Sequence, residues 1–514
     1  MSKALTDTEG QRPRPPDWGP EETAPSVLRE DEPALARTAG MLGAALVIFG
    51  GMALAFNLSG RLVRVGSAWA VLTLCLGLAG LLFHAAFDRD VQFRRVYAVF
   101  AYLCLVVGAF LCFLPYPKIG AQFGPGFLCM GLALPFFLTF HRNETEPGLR
   151  NVLELTLGAA GVVMAAVGLF GGSLRAPFLL PTGLLLAFLG LVYLIAFVST
   201  RGISDDLGYW GALAIGGAGV LVFLAALVRA AVVGRLFFMP QGLLLMAVGV
   251  LYVLASVGLW SDRPLVVLTR RELGAFFYSP MAYLVLIGFT LVAWIQYWFF
   301  IESLLPNPMG RRQPVIEPIV RDYVGSWLPI FFNLLVVPIL TMRLLSEERR
   351  SGTLEVLLTA PVNETQVVLS KFFAAVVMYV VTWLPFLLFL AAIPLGGGGP
   401  FDYRPLLSFF VGLIVTGAAF CGMGLFFSSL TKNQIAAVVL TFAGMIALTA
   451  VQVARNFVTP EGGWDKVLTH LSYLEVWTNT LEGRVVLRNL LFYISMAIFW
   501  PFLTVKVLEA RKWL

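Results

Sequence analysis

Runs of about twenty apolar residues recur along the whole chain, and no other feature restricts its fold so strongly. In the first half they fall near 41–58, 67–87, 96–115, 124–140, 152–171, 177–198, 208–228 and 236–260. In the second half they fall near 281–301, 326–345, 372–395, 406–430, 433–454 and 489–508. As a helix, a run of this length matches the hydrocarbon thickness of a bilayer. In lipid only helices and closed barrels satisfy every backbone group. These runs are continuous rather than alternating, which excludes a barrel. The fold class expected is therefore all-α, a polytopic helical membrane protein of about fourteen transmembrane helices. Composition agrees. Of 514 residues, 59% are hydrophobic and 13% charged, against about half and about a quarter in soluble domains.

Residues 1–37 are polar, proline-rich and poor in large apolar side chains, which predicts a disordered tail. The net charge of +6 is spread over the segments between runs and is read as topology information, not as a nucleic-acid footprint. With the tail in the cytoplasm, the inside segments hold Arg89, Arg94, Arg95, Arg142, Arg150, Arg201, Arg263, Arg270 and Arg271, then Arg349, Arg350, Lys371 and Lys432. An even number of spans puts both termini inside a cell inner (cytoplasmic) membrane. Cys75, Cys104, Cys112, Cys129 and Cys421 all lie in apolar runs without a CxxC pair, as buried small hydrophobes do.

Residues 38–261 hold eight runs with an internal repeat. FLLPTGLLLAFLGLVYLIAFVS (178–199) matches FFMPQGLLLMAVGVLYVLASVG (237–258), and FGPGFLCMGLALPFFLTF (123–140) is a weaker relative, with Gly126, Gly183 and Gly242 in register. The repeating unit is a helical hairpin, four in series. Duplicated hairpins frame a transport path in some carriers and serve as scaffold or docking surface in others; these helices carry almost nothing polar.

Ionisable groups are nearly absent from mid-span positions, which counts against an ion-coupled carrier. Three scattered histidines assemble no metal or catalytic centre. No Gly-rich phosphate loop ending in GK[ST] is present, so cofactor sites are not expected in this chain.

Two charged segments stand apart from the spans. In RLLSEERRSGTLEVLLTAPVNETQVVLSK (343–371), Leu354, Leu357 and Leu358 share one helical face, Pro361 ends the helix, and Asn363 with Gln366 forms a capping box for the next. Arg343 stands one turn before Glu347, at i, i+4 pairing distance. The residues alone leave open a short surface helix or an ordinary charged loop. RPLVVLTRRELGAFFYSP (263–280) sets Leu265, Leu268, Leu273, Phe276 and Phe277 against Arg270, Arg271 and Glu272, a pattern suited to a helix lying in the interface. Gly417, Gly422 and Gly424 fit close helix approach, between subunits or within one bundle.

Residues 263–514 resemble the permeases of type-2 ABC exporters, in particular the gliding-motility and copper-enzyme-maturation branch. The similarity rests on RRELGAFFYSP (270–280), on EERRSGTLEVLLTAPV (347–362), on GLFFSSLTKNQ (424–434) and on the closing LEGRVVLRNLLFYIS and LEARKW. It implies a six-span permease module over 262–514, with an elbow helix at 263–280 and a coupling segment at 346–371. The resemblance assigns ATPase coupling to Glu347, Glu348, Gly352, Thr353, Leu354, Glu355, Leu357, Leu358 and Pro361. The elbow would be carried by Arg270, Arg271, Glu272, Phe276, Phe277 and Pro280. The implied partners are an ABC ATPase subunit that binds ATP and Mg, and a second permease copy or sister permease. Alternatives of a different class are a membrane scaffold that anchors an extracytoplasmic partner through 302–325 and 455–487, and an ion-coupled flippase.

Overall fold

The computed structural model describes residues 32–58, 65–87, 90–113, 119–174, 182–202, 204–232, 240–304, 319–353, 363–395, 404–455 and 463–511. Among them the regular structure is helical throughout, with no strand. Among the described residues, twelve helices are long and apolar enough to cross a membrane, or up to thirteen if Leu244–Trp260 and Pro264–Tyr278, bent by 96°, count as one. A shorter apolar helix, Leu72–Phe87, stands at the remaining run. Every expected run thus coincides with a helix, and the chain is a multi-pass helical membrane protein.

The first eight helices are α1 (Glu32–Leu58), α2 (Val65–Phe87), α3 (Val91–Phe113), α4 (Ile119–Asn143), α5 (Pro147–Leu174), α6 (Leu184–Arg201), α7 (Asp206–Val232) and α8 (Pro240–Trp260). Successive pairs pack as hairpins by one device. A Cβ added at Gly77, Gly126, Gly190 or Gly249 would lie 2.7–2.8 Å from the carbonyl oxygen of Gly43, Gly108, Gly161 or Gly219, respectively. Each second helix therefore meets its first backbone to backbone, the contact that small residues permit in lipid. Gly190 and Gly249 occupy equivalent positions in the two matching segments. The hairpin α7–α8 is tied further by the Ser256 hydroxyl, which donates to Ala212 O at 2.7 Å, and Tyr252 donates to Ala187 O of α6 at 2.7 Å.

The remaining helices are α9 (Pro264–Tyr278), α10 (Pro280–Leu304), α11 (Ile319–Val324), α12 (Trp327–Thr341), α13 (Ser346–Ser351), α14 (Glu364–Leu395), α15 (Arg404–Leu430), α16 (Gln434–Arg455), α17 (Gly463–Leu471), α18 (Tyr473–Leu481) and α19 (Leu487–Arg511). Their core is rich in aromatic rings. Trp383 and Trp477 meet edge to face with centroids 5.4 Å apart, and Phe289, Phe386 and Phe409 close around Trp383. Without water to expel, such contact area is what holds helices together in lipid. By contacts the chain forms two compact units, Met1–Val107 with Cys129–Asn151, and Gly108–Leu128 with Val152–Leu514. The expected boundary at 262 lies inside the second.

Two expectations change in detail, and a third is met. Helix α1 begins at Glu32, inside the stretch read as tail, because Pro33 is tolerated in a first helical turn and Ala34–Leu35–Ala36 favours a helix; residues 1–31 lie outside the described residues. Helix α14 begins at Glu364, where the capping box expected at Asn363 puts its start: the Asn363 N–H donates to the Gln366 side chain at 3.3 Å, one arm of that box, and the apolar run from 372 continues the same helix. The stretch 455–487, read as a loop open to a partner, instead carries α17 and α18. Tyr473, Trp477 and Leu481 are buried, and Arg455 holds Asp465 and Glu475 at 3.1 and 2.9 Å. In 302–325, residues 305–318 lie outside the described residues and α11 buries Tyr323.

Candidate functional site: a charged junction at the end of α12

Helix α12 breaks at residues 342–345, and α13 follows as a turn of charged residues. One side chain makes the break stable. The Ser428 hydroxyl, from the end of α15, accepts the Leu345 and Ser346 N–H groups at 3.2 and 3.1 Å and donates to Met342 O at 3.0 Å. That uses the donor and both acceptor sites of a hydroxyl and satisfies N–H groups that a helix start leaves unpaired. Ser428 belongs to the SSLTKNQ motif, so the two motifs of the sequence meet in space. At the other end Gly352 terminates α13 with φ +74°, the left-handed geometry for which glycine is the default residue.

The charges of α13 then reach outward. Glu347 receives both the Nε and Nη2 of Arg343, at 2.7 and 2.9 Å, and Arg343 also donates to the Ser279 hydroxyl. Glu348 accepts from the Lys371 ammonium at 2.7 Å, and Lys371 donates to Glu272 of α9 at 2.9 Å. Lys371 is only 2% exposed. A buried ammonium is retained only when paired, and here two carboxylates from two different helices meet it. Arg349 donates to Ser429 O at 2.8 Å. Thus α13 is fastened to α9 and α14 through Lys371, to the start of α10 through Arg343 and Ser279, and to α15 through Ser428 and Arg349.

A cleft of about 510 Å³ opens at this junction, with Arg271, Glu272, Arg343, Glu347, Glu348 and Lys371 around it and Val285, Ile339 and Leu340 among its apolar lining. Its three acids and three bases cancel, so the arrangement suits mechanical fastening better than capture of an ion. Among the described residues no group of three His, Cys, Asp or Glu could hold a metal.

Of the coupling residues expected from sequence, Glu347, Glu348 and Gly352 lie at this junction and Thr353 is exposed beside it. Leu354, Glu355, Leu357, Leu358 and Pro361 lie outside the described residues. Of the residues expected to form an elbow, Glu272 joins the junction, Arg271 lines the cleft and Phe276 packs against the aromatic core of α10 to α19. Phe277 is exposed on the other side, Arg270 points back toward α8, and Pro280 opens α10. Lys371 and Ser428 were not singled out as site residues. Their signals were a lysine at the start of an apolar run and a serine pair ending another.

No curated protein and no solved structure matches the chain. Residues 309–471, the stretch from α11 to α17 that holds α13, Lys371 and Ser428, match the family described as ABC-2 family transporter protein.

Proposed function

We propose that the chain is the membrane permease subunit of an ATP-binding cassette exporter. It lies in the cytoplasmic membrane with both termini inside, and a separate ATPase subunit binds and hydrolyses ATP with Mg. Residues 346–371 face the cytoplasm and receive the ATPase stroke. Two such modules pair, as two copies of this chain or with a sister permease. The observation that carries this reading is the fastening of α13 to three other helices through Lys371, Ser428 and Arg349, within the residues similar to ABC-2 transporters. A segment that transmits force must be tied to several spans at once, whereas a passive connection needs none of these ties. The charge-balanced junction and the absence of a phosphate loop fit a subunit that transmits energy and does not release it.

The test is co-purification. Replacing Leu357 and Leu358 by Asp is expected to abolish retention of the ABC ATPase that accompanies the wild-type chain, while insertion is unchanged. Unchanged retention would remove the coupling assignment. A wild-type chain that retains no ATPase would leave the scaffold reading.

A further inference from the structure

The elbow helix α9 is held on two opposite sides. On one side Glu272 meets the buried Lys371, which also holds Glu348 of α13. Two residues earlier, Arg270 Nη1 donates to Leu259 O, one of the last carbonyls of α8, at 2.8 Å. At 100° per residue, positions 270 and 272 lie about 200° apart around the helix. A cation at a helix C-terminus also meets the negative end of the helix dipole, so the contact is favourable twice over. Only Ser261, Asp262 and Arg263 separate α8 from α9, and the two helices cross at 96°. Ser261 is buried, and its N–H still donates to Val257 O, so the connection is an ordered corner.

Beyond that corner α8 is not a lone helix. Tyr252 and Ser256 make buried hydrogen bonds to α6 and α7, and Ala165, Leu191, Val198, Ala212, Ile215 and Tyr252 form one core across α5 to α8. A push on the C-terminal end of α8 is therefore a push on a packed block.

We infer that α9 is a strut that carries displacement of the α13 junction backward into the hairpin block α5–α8, which makes this block a driven part of the machine. The inference takes only the source of the motion from the proposed function; the contacts stand without it.

The experiment is hydrogen–deuterium exchange on the full chain, alone, in nanodiscs of phosphatidylethanolamine and phosphatidylglycerol. It needs no ATPase, so its failure is distinct from failure of the co-purification test. Glu348→Gln loosens the junction from the α13 side. It is expected to speed exchange at residues 255–262 by about threefold, a sub-global opening. In an Arg270→Ala background the same substitution should add nothing at 255–262 while still speeding exchange at 363–371. Glu272→Gln, which leaves Lys371 paired with Glu348, should also speed 255–262. The strut is overturned if both carboxamide substitutions leave 255–262 unchanged, or if their effect there survives Arg270→Ala.

Discussion

Replacing Lys371 by Met would leave Glu272 and Glu348 beside one another with no cation between them. Breaking a buried pair from one side costs about 3–5 kcal/mol, because the remaining charge has lost both water and partner. Lys371→Met should therefore lower the midpoint of thermal unfolding in detergent sharply, and adding Glu272→Gln with Glu348→Gln should recover most of the loss. The Arg343–Glu347 pair is different. Its side chains are 35% and 44% exposed, and a pair of that kind contributes only about 0.3–0.5 kcal/mol. Glu348→Gln leaves the buried Lys371 paired with Glu272 alone, so Glu347→Gln with Glu348→Gln should cost some thermal stability yet leave ATPase binding intact and lower permease-dependent ATP hydrolysis in the reconstituted complex. Arg349→Gln with Arg350→Gln should lower it less, since the Arg349 bond to Ser429 O lies outside the Lys371 cluster, which these substitutions leave intact. Equal or reversed effects would contradict the assignment. Glu347, with its Arg343 four residues away, was legible in the sequence. Lys371 was not, because its partners are 23 and 99 residues distant and no local pattern announces them.

Helix identity was legible wherever a run was long, because length and continuity together leave a lipid-embedded chain one solution. The nine-residue helices α17 and α18 escaped for the converse reason. They are too short and too polar to read as spans, and the burial of α18 rests on Thr416 and Phe409 of α15, with Trp477 Nε1 donating to Thr416 Oγ1 at 3.0 Å. For the glycines of α15, residues alone leave two uses. The geometry assigns them to packing within the bundle: a Cβ at Gly417 would lie 2.2 Å from the Tyr379 ring, and one at Gly424 would lie 2.1 Å from Thr341 Oγ1. Tyr379 is fully buried and donates to Asn333 at 2.8 Å, so its ring has little freedom to retreat. Gly417→Ala should thus destabilise by about 1–3 kcal/mol, the usual penalty for overpacking. Gly288→Ala, where nothing lies within 4 Å of the new methyl, should be neutral or slightly stabilising, since Ala favours a helix over Gly. Paired thermal unfolding of the two variants checks both.

At the scale of the whole molecule, the question is whether α9 to α19 stand without the hairpins. The aromatic core of α10 to α19 draws its buried residues from 282–508, and the core of α5–α8 draws its own from 165–252, with no residue in common. Among the described residues the two are joined by the chain at 261–263 and by α8–α9 contacts such as the Arg270 bond to Leu259 O, which is exposed. An exposed hydrogen bond contributes little net stability because water replaces it. A chain beginning at Asp262 keeps Glu272, Lys371, Glu348, Arg343, Ser428 and the whole of α9 to α19, so every tie that fixes α13 survives. Such a chain should insert, unfold near the midpoint of the full chain, and retain the ATPase in co-purification. Retention by the full chain but not by this one would show that the division at 262 is wrong and that the hairpins complete the docking module. If the shorter chain does retain the ATPase, the hairpin block is dispensable for docking, and the strut of α9 then has the one remaining use its geometry allows, to pass motion outward from a junction that is complete without it.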